Sequence, residues 1–304
     1  MNRVAVFAHY DKNNTIQDYV LFYLKELEKV VDDIIFVSDS DIQDKELKKI
    51  KDIITFSIVG KHGEYDFGSY KRGYLCAKEN GLLENCEELI FANDSCYAPL
   101  FPFEEMFSKM SPKDVDFWGA TANPCGIEII DNKIVENKQE HIQSYFMVFK
   151  PTVFKSKVFT DFINSIKKED KKEKIIAYYE VGMSKLLLDN GFKYDVYCEL
   201  SKYTAHSQVL ACDRLIKENK SPFIKRSILL FKNLDLVWPF IAKKIVKKNT
   251  MYNSELIKND YEQNASTYNY IEYIRALRKF FLRIHYKKRK IHFLGEWYDF
   301  GGEK

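Results

Sequence analysis

Leu89-Ile90-Phe91-Ala92-Asn93-Asp94-Ser95-Cys96-Tyr97-Ala98-Pro99 begins apolar and ends polar. The apolar half reads as a buried strand, with Asn93, Asp94 and Ser95 emerging at its carboxyl end. In an open α/β sheet, ligands sit in the crevice beyond that end of the strands. A carboxylate there, between two small polar groups, suits a metal-diphosphate or a sugar hydroxyl. The plainer alternative is an Asx-turn, in which Asp94 only accepts from nearby backbone N–H groups.

The segments around this strand extend the pattern. Residues 3–9 read as a first strand, and a helix runs from Asn14 or Thr15 to about Val30. Residues 33–38, 53–59, 116–121, 141–149 and 194–199 read as further strands. Helices are expected over 46–51, from the 63–73 turn to about Gly81, and over 101–110, 151–166 and 175–188. A small hairpin is expected around Asp131-Asn132, and Asn190-Gly191 as a helix stop. Strands alternating with helices predict an α/β fold with a parallel sheet covered on both faces.

The 304 residues suffice for one large domain, or for one domain with an appendage. Residues 1–213 carry 27 Lys+Arg against 35 Asp+Glu, and residues 214–304 carry 20 against 9. An acidic body, 1–212, and a basic, mainly helical extension, 213–304, follow from that asymmetry. The six cysteines form no C-x-x-C pair and no zinc spacing, and read as free thiols in a reducing cytosol. The amino-terminal apolar run is too short for a signal-peptide core, and no stretch approaches the ~20 apolar residues of a membrane span. These readings predict a cytoplasmic protein.

The turn Gly63 to Gly73 leads into a helix carrying Lys71 and Arg72. A helix N-terminus with cations close by suits a phosphate. The alternative is an exposed basic pair on a loop. Neither the dinucleotide G-x-G-x-x-G nor the Walker spacing is present.

Several segments together resemble the rhamnan synthesis F family of polysaccharide glycosyltransferases. They are Ala5 to Asp11, Tyr65 to Gly73, Ala92 to Leu100, Asp116 to Gly119, His141 to Phe146, Tyr179 to Gly182 and, more faintly, Ser221 to Arg226. They keep their order over about residues 4–226. The resemblance implies a GT-A-like, Rossmann-type sandwich that binds a nucleotide sugar. It implies transfer of rhamnose from TDP-L-rhamnose, or use of another TDP- or UDP-sugar, to a polysaccharide such as O-antigen on a lipid-linked acceptor. Such folds usually hold Mg²⁺ or Mn²⁺ through Asp-x-Asp after the fourth strand. Here the place reads Asn93-Asp94-Ser95, with one carboxylate. A divalent cation would rest on Asp94, diphosphate oxygens and waters, with His206 as a second candidate ligand.

Roles follow from what glycosyl transfer needs. The leaving diphosphate needs positive groups, for which Lys71, Arg72 and, through a metal ion or water, Asp94 are the candidates. The acceptor hydroxyl needs a base, with Glu180 first and Asp116 in reserve. His9, Tyr10, Asp66, Tyr70, Asn93 and Ser95 are candidates for the nucleotide-sugar, and His141, Gln143, Ser144 and Tyr145 for donor or acceptor sugar. Each has a plainer reading as a packing or hydrogen-bonded structural residue. The basic, aromatic stretch 271–292 suits the cytoplasmic face of a membrane, or a helix docked on the body. No motif supports nucleic-acid binding. The competing class is a non-catalytic, receiver-like α/β regulator.

Overall fold

The computed structural model describes residues 1–199, 212–229, 238–264, 290–293 and 296–299. In chain order the first elements are β1 (Arg3–His9), α1 (Asp18–Leu27), β2 (Asp33–Ser38), α2 (Asp44–Leu47), β3 (Phe56–Val59), α3 (Tyr65–Glu79) and β4 (Glu88–Asn93). They are followed by β5 (Cys96–Tyr97), α4 (Phe103–Met110), β6 (Phe117–Gly119), β7 (Ala122–Asn123), β8 (Gly126–Ile130), β9 (Lys133–Asn137), β10 (His141–Ile142) and β11 (Phe146–Phe149). Then come α5 (Pro151–Phe154), α6 (Lys157–Ser165), α7 (Lys172–Ile175), a π-helical turn (Ile176–Val181), α8 (Gly182–Asp189) and β12 (Tyr194–Val196).

Seven strands form one sheet in the order β12-β6-β11-β4-β1-β2-β3. β11 runs antiparallel to both β4 and β6, while the other pairings are parallel. The 3-2-1-4 order is the dinucleotide-binding type, not the 2-1-3-4-5 order of flavodoxin-like receivers. The receiver alternative therefore does not match the topology.

Strand β4 is buried at every residue, as its apolar run predicts. Strand β1 shows how both faces are covered. Ala5 and Phe7 join one core with α1 and α4, while Val4, Val6 and Ala8 join the other with α3, α6 and α8. Helix α3 packs very closely on β1, because a Cβ on Gly73 would stand 2.2 Å from Val6 Cγ1.

Some boundaries differ from the sequence reading. Residues 141–149 make two short strands, with β10 leaving the main sheet to pair with β7. The expected helix over 175–188 is a π-helical turn continued by α8. The hairpin at Asp131-Asn132 is present, and both residues adopt the positive φ its tight turn requires, 49° and 60°.

The chain continues with α9 (Cys212–Asn219), β13 (Ile224–Lys225), α10 (Arg226–Leu229), α11 (Trp238–Asn249), α12 (Ser254–Asn264), β14 (Lys290–Phe293) and β15 (Glu296–Asp299). Leu215, Ile216, Phe223, Leu229, Val246 and Ile257 are buried in the same core as α1 and α4. Strand β13 pairs antiparallel with β5, just beyond the end of β4. The expected boundary at 212/213 thus falls inside a continuous packed core. Lysine stems and apolar residues hide such an interface in a charge count, because charge reports the outward face only. Among the described residues, no helix is long and apolar enough to cross a membrane.

Candidate active site at the strand mouth

The carboxyl ends of β1 and β4 lie side by side, with Ala8 level with Asn93. Because β11 is antiparallel, its beginning meets that same edge, and Phe146 is level with Ala92. Residues before β11 therefore reach the mouth together with residues after β4.

Asn93 organises the turn after β4. Its Oδ1 accepts from Ser95 Oγ at 2.6 Å and from the Ser95 N–H at 3.1 Å. Its Nδ2 consequently faces outward and donates to Asp66 Oδ2 at 3.1 Å. Asp66 stands in the first turn of α3. Ser144 Oγ lies 3.2 Å from that same Asp66 oxygen and 2.9 Å from Glu180 Oε2. One hydroxyl proton serves only one of two carboxylates. Burial, and next the charge of Glu180, push the Asp66 carboxyl upward. Ser144 Oγ thus stands as a bridge between the two carboxyl groups, the Asp66 oxygen on one side and the Glu180 oxygen on the other.

Glu180 lies in the π-helical turn. Such turns re-aim a side chain within an otherwise helical run and recur at functional sites. Its Oε1 is 3.6 Å from His141 Nε2. His141 Nδ1 lies 3.2 Å from the Gln139 carbonyl, an acceptor only, so this nitrogen carries a proton. Burial acts to raise the Glu180 carboxyl. The His141 hydrogen bond and charge, Lys225 and Ser144 outweigh it and hold the carboxyl below its usual range.

Asp94 accepts the Tyr10 N–H through Oδ2 at 3.0 Å. Burial pushes it up to about 6, against the opposing charge of Arg226. Arg226 forks onto Asp260 at 2.8 and 2.9 Å, lies 4.4 Å over the Tyr19 ring and approaches the Asp94 carbonyl at 3.5 Å. Its neighbour Lys225 donates to Ser95 Oγ at 3.1 Å and stands 4.4 Å from the centre of the Tyr145 ring. Lys225 and Arg226 were seen in the sequence only as part of a faint match, because what brings them here is the pairing of β13 with β5.

Asn93, Asp94, Ser95, Asp66, Ser144, Glu180 and His141 converge on this mouth, and Tyr10 stands at its rim, 58% exposed. Other candidates go elsewhere. Asp116 precedes β6, whose Phe117 is level with Phe149, itself level with Leu89 near the start of β4. That is the opposite edge of the sheet. Its carboxylate there accepts from Thr152 Oγ1 and the Lys193 N–H, both at 2.8 Å. Asp116 is a structural clamp, and the reserve assignment as a base is corrected.

Lys71 donates to the carbonyls of Asn164 and Ile166, at the end of α6. Arg72 pairs with Glu64 at 2.5 Å. Neither points to the mouth, because both lie past the first turn of α3, on its outward side. The anion expected at the 63–73 turn is supplied internally, since Asp39 accepts the N–H groups of His62 and Gly63 at 2.6 and 2.9 Å.

Tyr70 is fully buried, stacked 4.6 Å from Phe91, and donates to the Ser144 carbonyl at 2.7 Å. It positions Ser144 and cannot touch a ligand. Tyr145 is buried with its hydroxyl 2.7 Å from Thr121 Oγ1, and serves through its ring. His9 is buried against Ser38 Oγ at 2.9 Å, and burial lowers it to about 4, so it is a neutral structural group. Gln143 is buried with its Oε1 lacking a donor among the described residues. His206 lies outside the described residues, as does most of the 271–292 stretch.

The donor set for a divalent ion is thin. Among the described residues no three His, Cys, Asp or Glu side chains group as metal ligands. Asp94 has the Arg226 charge beside it, which already opposes its own. These residues do not fit a protein-held Mg²⁺ or Mn²⁺. Two surface hollows lie apart from the mouth. One, of about 500 Å³, is lined by Arg3, Lys29 and Ser111 at the opposite sheet edge, and the other, of about 640 Å³, lies between α6 and the π-helical turn.

An α/β sheet of this order, with polar residues gathered at its carboxyl edge, is of the Rossmann type. The family model described as "Rhamnan synthesis protein F" matches residues 34–292, and the chain belongs to that family. The Uncharacterized protein y4gN of Sinorhizobium fredii (strain NBRC 101917 / NGR234) is 23% identical over 159 residues, 52% of this chain and 39% of that protein. The chain thus spans well under half of that relative. Among solved structures, a 4-diphosphocytidyl-2C-methyl-D-erythritol synthase has a TM-score of 0.40 at 10% identity, covering 69% of this chain and 95% of its own. A cytidylyltransferase from Leptospira borgpetersenii serovar Hardjo-bovis scores 0.39 at 15%, covering 83% and 100%. Core-mannan synthase A from Aspergillus fumigatus, in its Mn/GDP form, scores 0.35 at 11%, covering 65% and 73%.

Proposed function

We propose that this protein is an inverting glycosyltransferase that moves a sugar, rhamnose from TDP-L-rhamnose as the first candidate, onto a growing cell-surface polysaccharide carried on a lipid-linked acceptor. The carrying observation is the Asp66–Ser144–Glu180–His141 chain at the strand mouth. Family membership supports the reaction class, and Glu180 is the base assigned to it in this reading.

In the reaction the bond from the anomeric carbon to the diphosphate oxygen breaks as the acceptor oxygen bonds to that carbon from the opposite face. The acceptor proton passes to Glu180. Inversion needs one base and no covalent intermediate; the second, acid carboxyl of an inverting glycosidase protonates its leaving group, a service that a diphosphate, leaving as a stable anion, does not need. Glu180 is ionised at neutral pH, given the direction of its shift. A weak base suits a late transfer, once the attacking oxygen has begun to bond and become acidic. Gln143 Oε1, without a donor of its own, is a suitable acceptor for a sugar hydroxyl. Association of the 271–292 segment with an anionic membrane surface would bring the lipid-linked acceptor close.

The test incubates the protein with a panel of nucleotide sugars and a polysaccharide or lipid-linked acceptor, and follows nucleoside diphosphate release. Release with one donor, falling by about 10²–10⁴ in Glu180→Gln with donor binding retained, is the expected result. Full turnover by Glu180→Gln would remove the base assignment. No release with any donor would remove the glycosyltransferase reading.

A further inference from the structure

We infer that Lys225 is the contact for the donor's diphosphate, so that this mouth holds a nucleoside diphosphate by a fixed ammonium group without a protein-bound divalent ion. The inference rests on the glycosyltransferase reading and goes beyond it, to how the leaving group is held.

Every other cation considered for this task is already committed. Lys71 caps the carbonyls at the end of α6, and Arg72 pairs with Glu64. Arg226 is held by both oxygens of Asp260. Lys225 differs. Among the described residues it donates to the neutral Ser95 hydroxyl and rests near the Tyr145 face, and it forms no ion pair. An ammonium has three N–H donors. One is used on Ser95, which leaves capacity for phosphate oxygens.

Its placement is fixed from both sides. Lys225 sits on β13, opposite Cys96 of β5, so the strand pairing aims it. The Tyr145 ring is itself anchored through Thr121 and supplies the electron-rich face that attracts a cation. Ser95, to which Lys225 donates, is bonded to Asn93, whose amide donates in turn to Asp66, so the ammonium group belongs to the same network. A preorganised cation of this kind stabilises the charge that gathers on a departing diphosphate. The metal-ligand set that would otherwise do so is absent among the described residues.

The experiment is calorimetric titration of the full chain with UDP and with TDP, in EDTA and separately in Mg²⁺. Binding of one diphosphate in EDTA is expected. Lys225→Met should weaken it about tenfold or more, Lys225→Arg should retain most of it, and the matching nucleoside should be indifferent to either change. Thermal melts of both variants check that the fold is intact. Binding that requires Mg²⁺ and ignores Lys225→Met would overturn this inference while leaving the glycosyltransferase reading in place. No binding of either diphosphate under either condition would overturn both.

Discussion

His141 and Glu180 face each other across 3.6 Å, from Nε2 to Oε1, with the far nitrogen of the imidazole turned to the Gln139 carbonyl. Burial works to raise Glu180, and His141 is the largest influence against it. Removing the imidazole as His141→Ala should move the acidic limb of the pH–rate profile upward. The profile of wild type and variant, measured on one donor, checks this. An unmoved limb would show that His141 does not tune the carboxylate.

Asp94 and His9 make opposite contributions to stability with pH. Burial raises Asp94 to about 6, so the folded state binds more protons than the unfolded one between about pH 4 and 6, and stability is lost as pH rises. Burial lowers His9 to about 4, so the unfolded state binds more protons between about pH 4 and 6.5, and stability is lost as pH falls. Each swing is about 3 kcal/mol. Asp94→Asn removes the first and leaves the second. Its melting temperature relative to wild type should therefore climb from pH 4 to 6, and a parallel pair of curves would contradict the burial argument.

Asp260 is buried and takes four hydrogen bonds, two from Arg226, one from the Tyr97 hydroxyl at 2.6 Å and one from Asn264 Nδ2 at 2.8 Å. Asp260→Ala leaves a buried guanidinium without its partner. A loss of about 3–5 kcal/mol in urea unfolding is expected. Because Arg226 follows Lys225 directly, diphosphate affinity should fall as well. A loss below about 1 kcal/mol would show that water reaches Arg226 readily.

Much of the layout was legible in the sequence. Strand β4 announced itself because a strand buried on both faces reads as an unbroken apolar run, and its polar end located the mouth. The Asp131-Asn132 turn was legible because few residues accept positive φ. The chemistry of the mouth was less so. Asp66 and Glu180 were found as residue types near motif glycines, but their link through Ser144 depends on the antiparallel β11, which reverses the direction in which 143–145 approach. Lys71 and Arg72 misled because a basic pair near a turn looks the same whether it faces a ligand or the end of α6. Lys225 was missed because it is brought in by a strand pairing 130 residues distant in sequence, which no local pattern encodes.

The pairing of β13 with β5 also sets an order of events during synthesis. A nascent chain that has emerged only through β12 already contains the seven strands of the main sheet, yet lacks the ammonium group and the Arg226–Asp260 latch behind it. Until residue 260 is out, the ribosome-bound protein is a scaffold without a finished pocket.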